Sequence, residues 1–153
     1  MKYEIRKSSD YMQYKTLFEA AGLEFNTDET GTKPEGFVTS FYCTDEFGQI
    51  IGASAIACKK SLYVINDIAV TENLRNQKIG EALLKRSMDY IINQGADSIY
   101  ITARAPGFFK KYGFFNLKPS DVPDIFGCLS CAQYGKTCSP VFMKKDLRRS
   151  QAI

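Results

Sequence analysis

Histidine is absent from this 153-residue chain, which removes the commonest general base and metal ligand near neutral pH. No apolar run approaches the roughly 18 residues that a transmembrane helix needs, so no membrane partner is expected. The opening residues MKYEIRKSSDYMQY lack the apolar centre of a secretory signal. With five cysteines and no such signal, a cytoplasmic location is expected, with thiols free or metal-bound rather than paired as disulfides. Charge of one sign is also scarce. Twenty basic residues against 17 acidic ones leave a net charge of +3, too mild to indicate a nucleic-acid partner. Internal repeats and low-complexity segments are missing.

What is present is the composition of an ordinary globular chain, 44% hydrophobic and 24% charged. Residues 1–153 are expected to form one domain that buries roughly 70% of its unfolded surface. Lys2–Arg6 alternates as a first strand. Ser8 or Ser9 can cap a helix over Asp10–Ala21, where Tyr14, Leu17, Phe18 and Ala21 recur at helical spacing before Gly22. Residues 23–36 are polar and turn-rich and read as a loop. Phe37–Thr44 and Gln49–Lys59 flank Asp45-Glu46-Phe47-Gly48, a hairpin turn, and Ser61–Val70 is the central strand. Ile79–Asn93 carries Ile79, Leu83, Leu84, Met88, Ile91 and Ile92 on one side, an amphipathic helix stopped by Gly95. Ser98–Ala103 is a strand, Gly107–Tyr112 a short helix and Phe114–Leu117 a strand. A long loop over Lys118–Lys136 leads to a last strand, Cys138–Leu147. This order suits an α/β fold, a mixed sheet with helices on its faces.

The most informative stretch is Leu62–Gly95. An apolar run ends in the turn Thr71–Asn73, and Arg75-Asn76-Gln77-Lys78-Ile79-Gly80 then opens a helix. A helix start presents unpaired N–H groups and the positive end of its dipole, which suits an anion such as a pyrophosphate. Arg75 and Lys78 add cations, Asn76 and Gln77 stand beside them, and Gly80 allows close approach. Taken alone, the same pattern also describes a buried strand followed by a basic, solvated helix start.

Ile68-Ala69-Val70 followed by Arg75-x-x-x-Ile79-Gly80 resembles the acetyl-CoA signature of the GNAT N-acetyltransferases, Arg/Gln-x-x-Gly-x-Gly/Ala after a Leu-Ala-Val strand. Lys78 stands where the first glycine of that signature falls. A second stretch, Phe108-Phe109-Lys110-Lys111-Tyr112-Gly113-Phe114, is similar to the family's Phe-Tyr-x-Lys-x-Gly-Phe segment beside the pantetheine arm. The two together are specific. The resemblance implies a mixed, mostly antiparallel central sheet flanked by helices, with acetyl-CoA as co-substrate. It places cofactor binding on Ile68, Ala69, Val70, Arg75, Asn76, Gln77, Lys78, Ile79, Gly80 and Phe109, and dimers are common in the family.

It also implies direct attack of an amine on the acetyl thioester, with the N–H near Val70 as donor to the carbonyl oxygen. The base is less defined. Relatives carry Glu or His near Val64 and Asn66, leaving Asp67 as the nearest carboxylate. Strand alternation places Asp67 on the face opposite Asn66, which favours a structural role and deprotonation through water. Phe109 replaces the usual catalytic tyrosine. Tyr112, one helical turn on, is the candidate substitute as acid for the leaving thiolate, with plain packing as its other reading.

Thr102-Ala103-Arg104, Phe108-Phe109, Ser120-Asp121-Val122-Pro123 and Ser139-x-Val141-x-Met143 are similar to segments of the acetyltransferase domain of N-acetylglutamate synthases. This resemblance implies a small-molecule amine acceptor of glutamate-like, free amino-acid type. Arg104, Lys136 and Ser139 are the candidate substrate residues, and a surface ion pair is the other reading of Arg104. Acetylation of a protein or a polyamine is the competing enzymatic reading. Cys128-x2-Cys131-x6-Cys138 is a candidate zinc site, three thiolates short of the usual four ligands by one. Cys43, Cys58, an acid such as Asp124 or water would have to complete it; reduced, partly buried thiols are the default reading, and oxidation of Cys128 with Cys131 or Cys138 is a third. A non-catalytic CoA- or metal-binding sensor is the remaining reading.

Overall fold

Strand-forming runs rich in Val, Ile, Tyr and Phe organise a seven-stranded sheet in the computed structural model, which describes residues 3–23, 25, 27–103, 105–125 and 141–147. For Arg75, Asn76 and Gln77 it describes the backbone alone. The strands are β1 (Tyr3–Ser8), β2 (Phe37–Asp45), β3 (Ile50–Lys59), β4 (Leu62–Val70), β5 (Ser98–Ala103), β6 (Phe115–Asn116) and β7 (Val141–Asp146). Their spatial order is β1-β2-β3-β4-β5-β7-β6. Only β4 and β5 pair in parallel; the other neighbours are antiparallel. The mixed, mostly antiparallel α/β architecture expected from the sequence is therefore present.

The helices are α1 (Lys15–Ala20), α2 (Ile79–Asn93) and α3 (Pro106–Lys110). Helix α2 lays Ile79, Leu83, Leu84 and Ile91 on one face of the sheet against Phe41, Ile51, Ile56, Ile65 and Val70. On the other face Ala53, Ala55 and Ala69 present little bulk, and Tyr11, Tyr14, Leu17 and Phe18 close down on them. Among the described residues no helix is long and apolar enough to cross a membrane.

Several elements differ from their sequence reading. The helix expected over Asp10–Ala21 begins as a 3-10 turn, Tyr11–Tyr14, before α1. A 3-10 turn eclipses residues three apart, which sends Tyr11 and Tyr14 into the same core. Ile92 leaves the apolar face of α2 and is exposed, because it lies about 100° beyond the buried Ile91. The strand expected from Phe114 shortens because Phe114 itself turns into the core.

Gly52 of β3 sets how closely α2 approaches the sheet. A Cβ there would meet Leu83 at 3.0 Å, Ile79 at 3.2 Å and the Ala69 carbonyl oxygen at 3.3 Å. Overpacking of this kind costs about 1–3 kcal/mol. Gly52→Ala is expected to lower the urea midpoint accordingly, and an unchanged midpoint would show that α2 can move outward freely.

Candidate active site

The site arises where two neighbouring strands part. The β4–β5 ladder holds only Tyr63↔Ile99, Val64↔Tyr100 and Ile65↔Ile101. Beyond that point β4 continues along β3 to Val70, while β5 continues along β7 to Ala103. The sheet opens there into a cleft of about 560 Å³. Its walls come from Ile65–Val70 on one side and from Ile101, Thr102, Phe108, Phe109 and Tyr112 on the other. Leu23, from the loop after α1, also lines it.

The start of α2 lies at this opening. Residues Glu72–Gln77 form a separate 3-10 turn rather than the first turn of a helix, which corrects the sequence reading of Arg75–Gly80. Lys78 then takes a left-handed conformation, φ 61° and ψ 20°, and α2 begins at Ile79. Glycine takes this conformation freely, and Lys78 holds it with a side chain in place of the signature's first glycine. The first hydrogen bond of α2 runs from the Ala82 N–H to the Lys78 carbonyl oxygen at 3.2 Å, and no side chain caps the helix. The N–H groups of Ile79, Gly80 and Glu81 thus precede the helical ladder, as an anion at this position requires. A Cβ on Gly80 would meet Phe108 and Val70 only at 3.7 Å, so alanine is accommodated where the signature permits it.

Of the proposed cofactor residues, Ile68, Ala69, Val70, Lys78, Gly80 and Phe109 all line the cleft. Ile79 does not: its side chain is fully buried in the core under α2, so only its backbone faces a ligand. The side chains of Arg75, Asn76 and Gln77 lie outside the described residues, as do Arg104, Lys136, Ser139, Cys128, Cys131 and Cys138. Among the described residues no cluster of three potential ligands could hold a metal. The possible completing ligands stand apart: Cys43 is buried in the core, where burial pushes its thiol up to about 11, and Asp124 pairs with Lys60 at 3.6 Å.

Asp67 departs most from its sequence reading. Ala55 pairs with Asp67 and Ile56 with Ile65, so Asn66 is an extra residue in β4, a β-bulge. Strict alternation is broken there, and Asn66 and Asp67 do not point to opposite faces. Asn66 Nδ2 donates to Asp67 Oδ2 at 3.1 Å, and both residues line the cleft. The Tyr11 hydroxyl donates to the same oxygen at 2.7 Å. Asp67 is only 7% exposed, yet Oδ1 has no hydrogen-bond partner among the described residues. Burial pushes its pKa up to about 6, against the opposing pull of the Tyr11 and Asn66 hydrogen bonds and the Lys59 charge. Tyr11 was not legible as a site residue. The one available signal was the pair Asn66-Asp67, two poor strand formers inside an apolar strand, which marks an irregularity.

Tyr112 lies beside Glu81, whose carboxylate is held below its usual range first by the Tyr112 hydroxyl and then by Lys85, 3.4 Å away. Partial burial and this carboxylate raise the Tyr112 pKa. Both residues line the cleft.

Comparison with known proteins agrees with this geometry. The acetyltransferase (GNAT) domain family matches residues 38–115, just over half of the chain. The chain belongs to the GNAT family, and it is an acyl-CoA-dependent acetyltransferase. An uncharacterized N-acetyltransferase of Chlorobaculum tepidum is 28% identical over 113 residues, 72% of each chain. A GNAT-family acetyltransferase from Staphylococcus aureus shares the fold with a TM-score of 0.70 at 17% identity, covering 95% of this chain and 99% of that one. N-acetylglutamate synthase from Neisseria gonorrhoeae, complexed with coenzyme A and N-acetyl-glutamate, reaches the same TM-score of 0.70 at 14% identity. That match covers 97% of this chain and 36% of the synthase. The fold therefore does not favour the synthase over other GNAT enzymes.

Proposed function

We propose that this acetyltransferase moves the acetyl group of acetyl-CoA to a primary amine by direct attack, with Asp67 as general base and a small free amino acid of glutamate-like type as acceptor. The observation that carries the base assignment is the Asp67 carboxylate at the cleft wall, with Oδ2 tied back by two donors and Oδ1 left for an incoming amine. A carboxylate with a pKa near 6 is a better proton acceptor near neutral pH than an ordinary aspartate. The acceptor arrives as an ammonium ion and gives a proton to Oδ1. Its nitrogen lone pair forms the N–C bond to the acetyl carbon while the C–S bond breaks. Coenzyme A leaves as a thiolate, for which Tyr112 is the candidate acid, and the second nitrogen proton is lost to solvent. The end of β4 at Val70 carries the carbonyl-polarising role.

The glutamate-like acceptor rests on the resemblance of Thr102-Ala103-Arg104 and Ser139 to the synthase segments, with Arg104, Lys136 and Ser139 as the groups for its carboxylates. The test is acetyl-CoA turnover against free amino acids, polyamines and peptide amines, with products identified by mass spectrometry. Selective acetylation of glutamate or a related amino acid is expected. Turnover confined to polyamines or peptides would overturn the acceptor class, and absence of turnover with acetyl-CoA bound would favour a CoA-binding sensor.

A further inference from the structure

We propose that Tyr11 is a positioning residue of the acetyl-transfer site: its hydroxyl anchors one oxygen of Asp67 so that the other is presented to the acceptor amine. The inference rests on the reading of Asp67 as base and adds a residue 56 positions away in sequence.

Tyr11 is only 1% exposed and does not line the cleft. Its ring is fixed on several sides. Phe25 stacks on it at 4.8 Å with an interplanar angle of 20°, and Phe37 meets it edge-on at 5.7 Å. Phe18 and Tyr14 lie at 5.8 and 6.2 Å. A phenol held this way has one placement for its oxygen, and that placement is 2.7 Å from Asp67 Oδ2. Asn66 approaches the same oxygen. Two donors on one oxygen fix the plane of the carboxylate and leave Oδ1 free for the acceptor.

A purely structural pairing would satisfy the buried phenol and no more. The site does more than that, because the second oxygen of this cleft-lining carboxylate has no hydrogen-bond partner among the described residues. Among the described residues the other charged groups around Asp67 are few. Lys59 of β3 acts on it from a distance. Lys15 and Glu19 of α1 are exposed, and Lys78, Glu81, Lys111 and Tyr112 line the rest of the cleft. Among the described residues, Tyr11 and Asn66 are thus the groups that hydrogen-bond to this carboxylate.

The test compares pH profiles of kcat/KM for the wild type, Tyr11→Phe, Asn66→Ala and Tyr14→Phe. Removing the Tyr11 hydroxyl takes a donor from the ionised carboxylate, so the acid limb is expected to move up by about one pH unit. Asn66→Ala moves it in the same direction without disturbing the aromatic cluster, and it serves alone if Tyr11→Phe does not fold. Tyr14→Phe removes a buried hydroxyl that pairs instead with Ser40 at 2.6 Å. It should lower the melting temperature and leave the limb in place. A folded Tyr11→Phe enzyme with an unmoved limb overturns the proposal, as does an unmoved limb in Asn66→Ala. If Asp67→Asn itself keeps the wild-type rate and limb, the base assignment fails first and independently.

Discussion

Asp67→Asn is expected to lower kcat by about 10²- to 10⁴-fold, the range for loss of a general base, and at the same time to make the protein more stable above pH 6. The two effects share one cause. Burial moves the Asp67 pKa from 3.8 to about 6 in the folded protein. Between those values the folded chain binds the proton more tightly than the unfolded chain. Stability contributed by the neutral carboxyl is therefore full below about pH 4, falls as pH rises, and is gone above about pH 6. A difference of about two units corresponds to roughly 3 kcal/mol at most. Asparagine keeps the shape and the polar contacts but carries no charge, so it avoids that penalty. Urea denaturation at pH 8 should show the variant about 1–3 kcal/mol more stable than the wild type, and at pH 4 the two should converge. Acetyl-CoA affinity, measured by calorimetry, should be nearly unchanged. A variant that keeps its rate within threefold would remove Asp67 from the mechanism.

This trade between stability and activity is typical of sites where a charge is kept buried for chemistry. The fold supplies the setting. Three residue pairs of parallel ladder hold β4 to β5, and where they end the cleft begins. The bulge at Asn66 falls just past the last pair. It turns two polar side chains into the opening, where regular pleating would have sent one of them to the opposite face.

The regular elements were legible because their signals are local. Helical spacing and the stop at Gly95 define Ile79–Asn93, and α2 has those bounds. The hairpin around Asp45–Gly48 followed from turn chemistry: Asp45 Oδ1 accepts from the N–H groups of Phe47 and Gln49 at 2.9 and 3.0 Å. The α/β class followed from element order. What the sequence could not show depends on register between distant segments. Nothing in Tyr11-Met12-Gln13-Tyr14 announces that the first tyrosine reaches a carboxylate on β4. The side of the strand that Asp67 faces depends on a one-residue slip against β3, to which a period-two reading is blind. The left-handed conformation of Lys78 is hidden for a related reason: the residues on both sides of it do look helical.

Replacing Lys78 separates the two contributions of that residue, its backbone and its charge. At φ 61° a side chain costs about 1–2 kcal/mol relative to glycine, which takes this conformation freely. Lys78→Gly is therefore expected to stabilise the fold, by about 0.5–1 kcal/mol after the extra freedom of glycine in the unfolded chain is counted. The same change removes a cation from the cleft at the start of α2, where the phosphates of acetyl-CoA are expected to lie. The KM for acetyl-CoA should rise about tenfold, the effect of losing one charge-assisted contact. Lys78→Glu reverses the charge and should raise it about 100-fold, and the penalty should shrink at high salt as screening sets in. Lys78→Ala keeps the strained backbone and loses the cation, so it should combine the weaker binding of the glycine variant with none of its added stability. Steady-state kinetics at low and high salt, together with urea midpoints for the three variants, resolve the two terms. If Lys78→Gly bound acetyl-CoA as tightly as the wild type and with the same salt dependence, the phosphates would be held by the N–H groups of Ile79, Gly80 and Glu81 without help from this side chain.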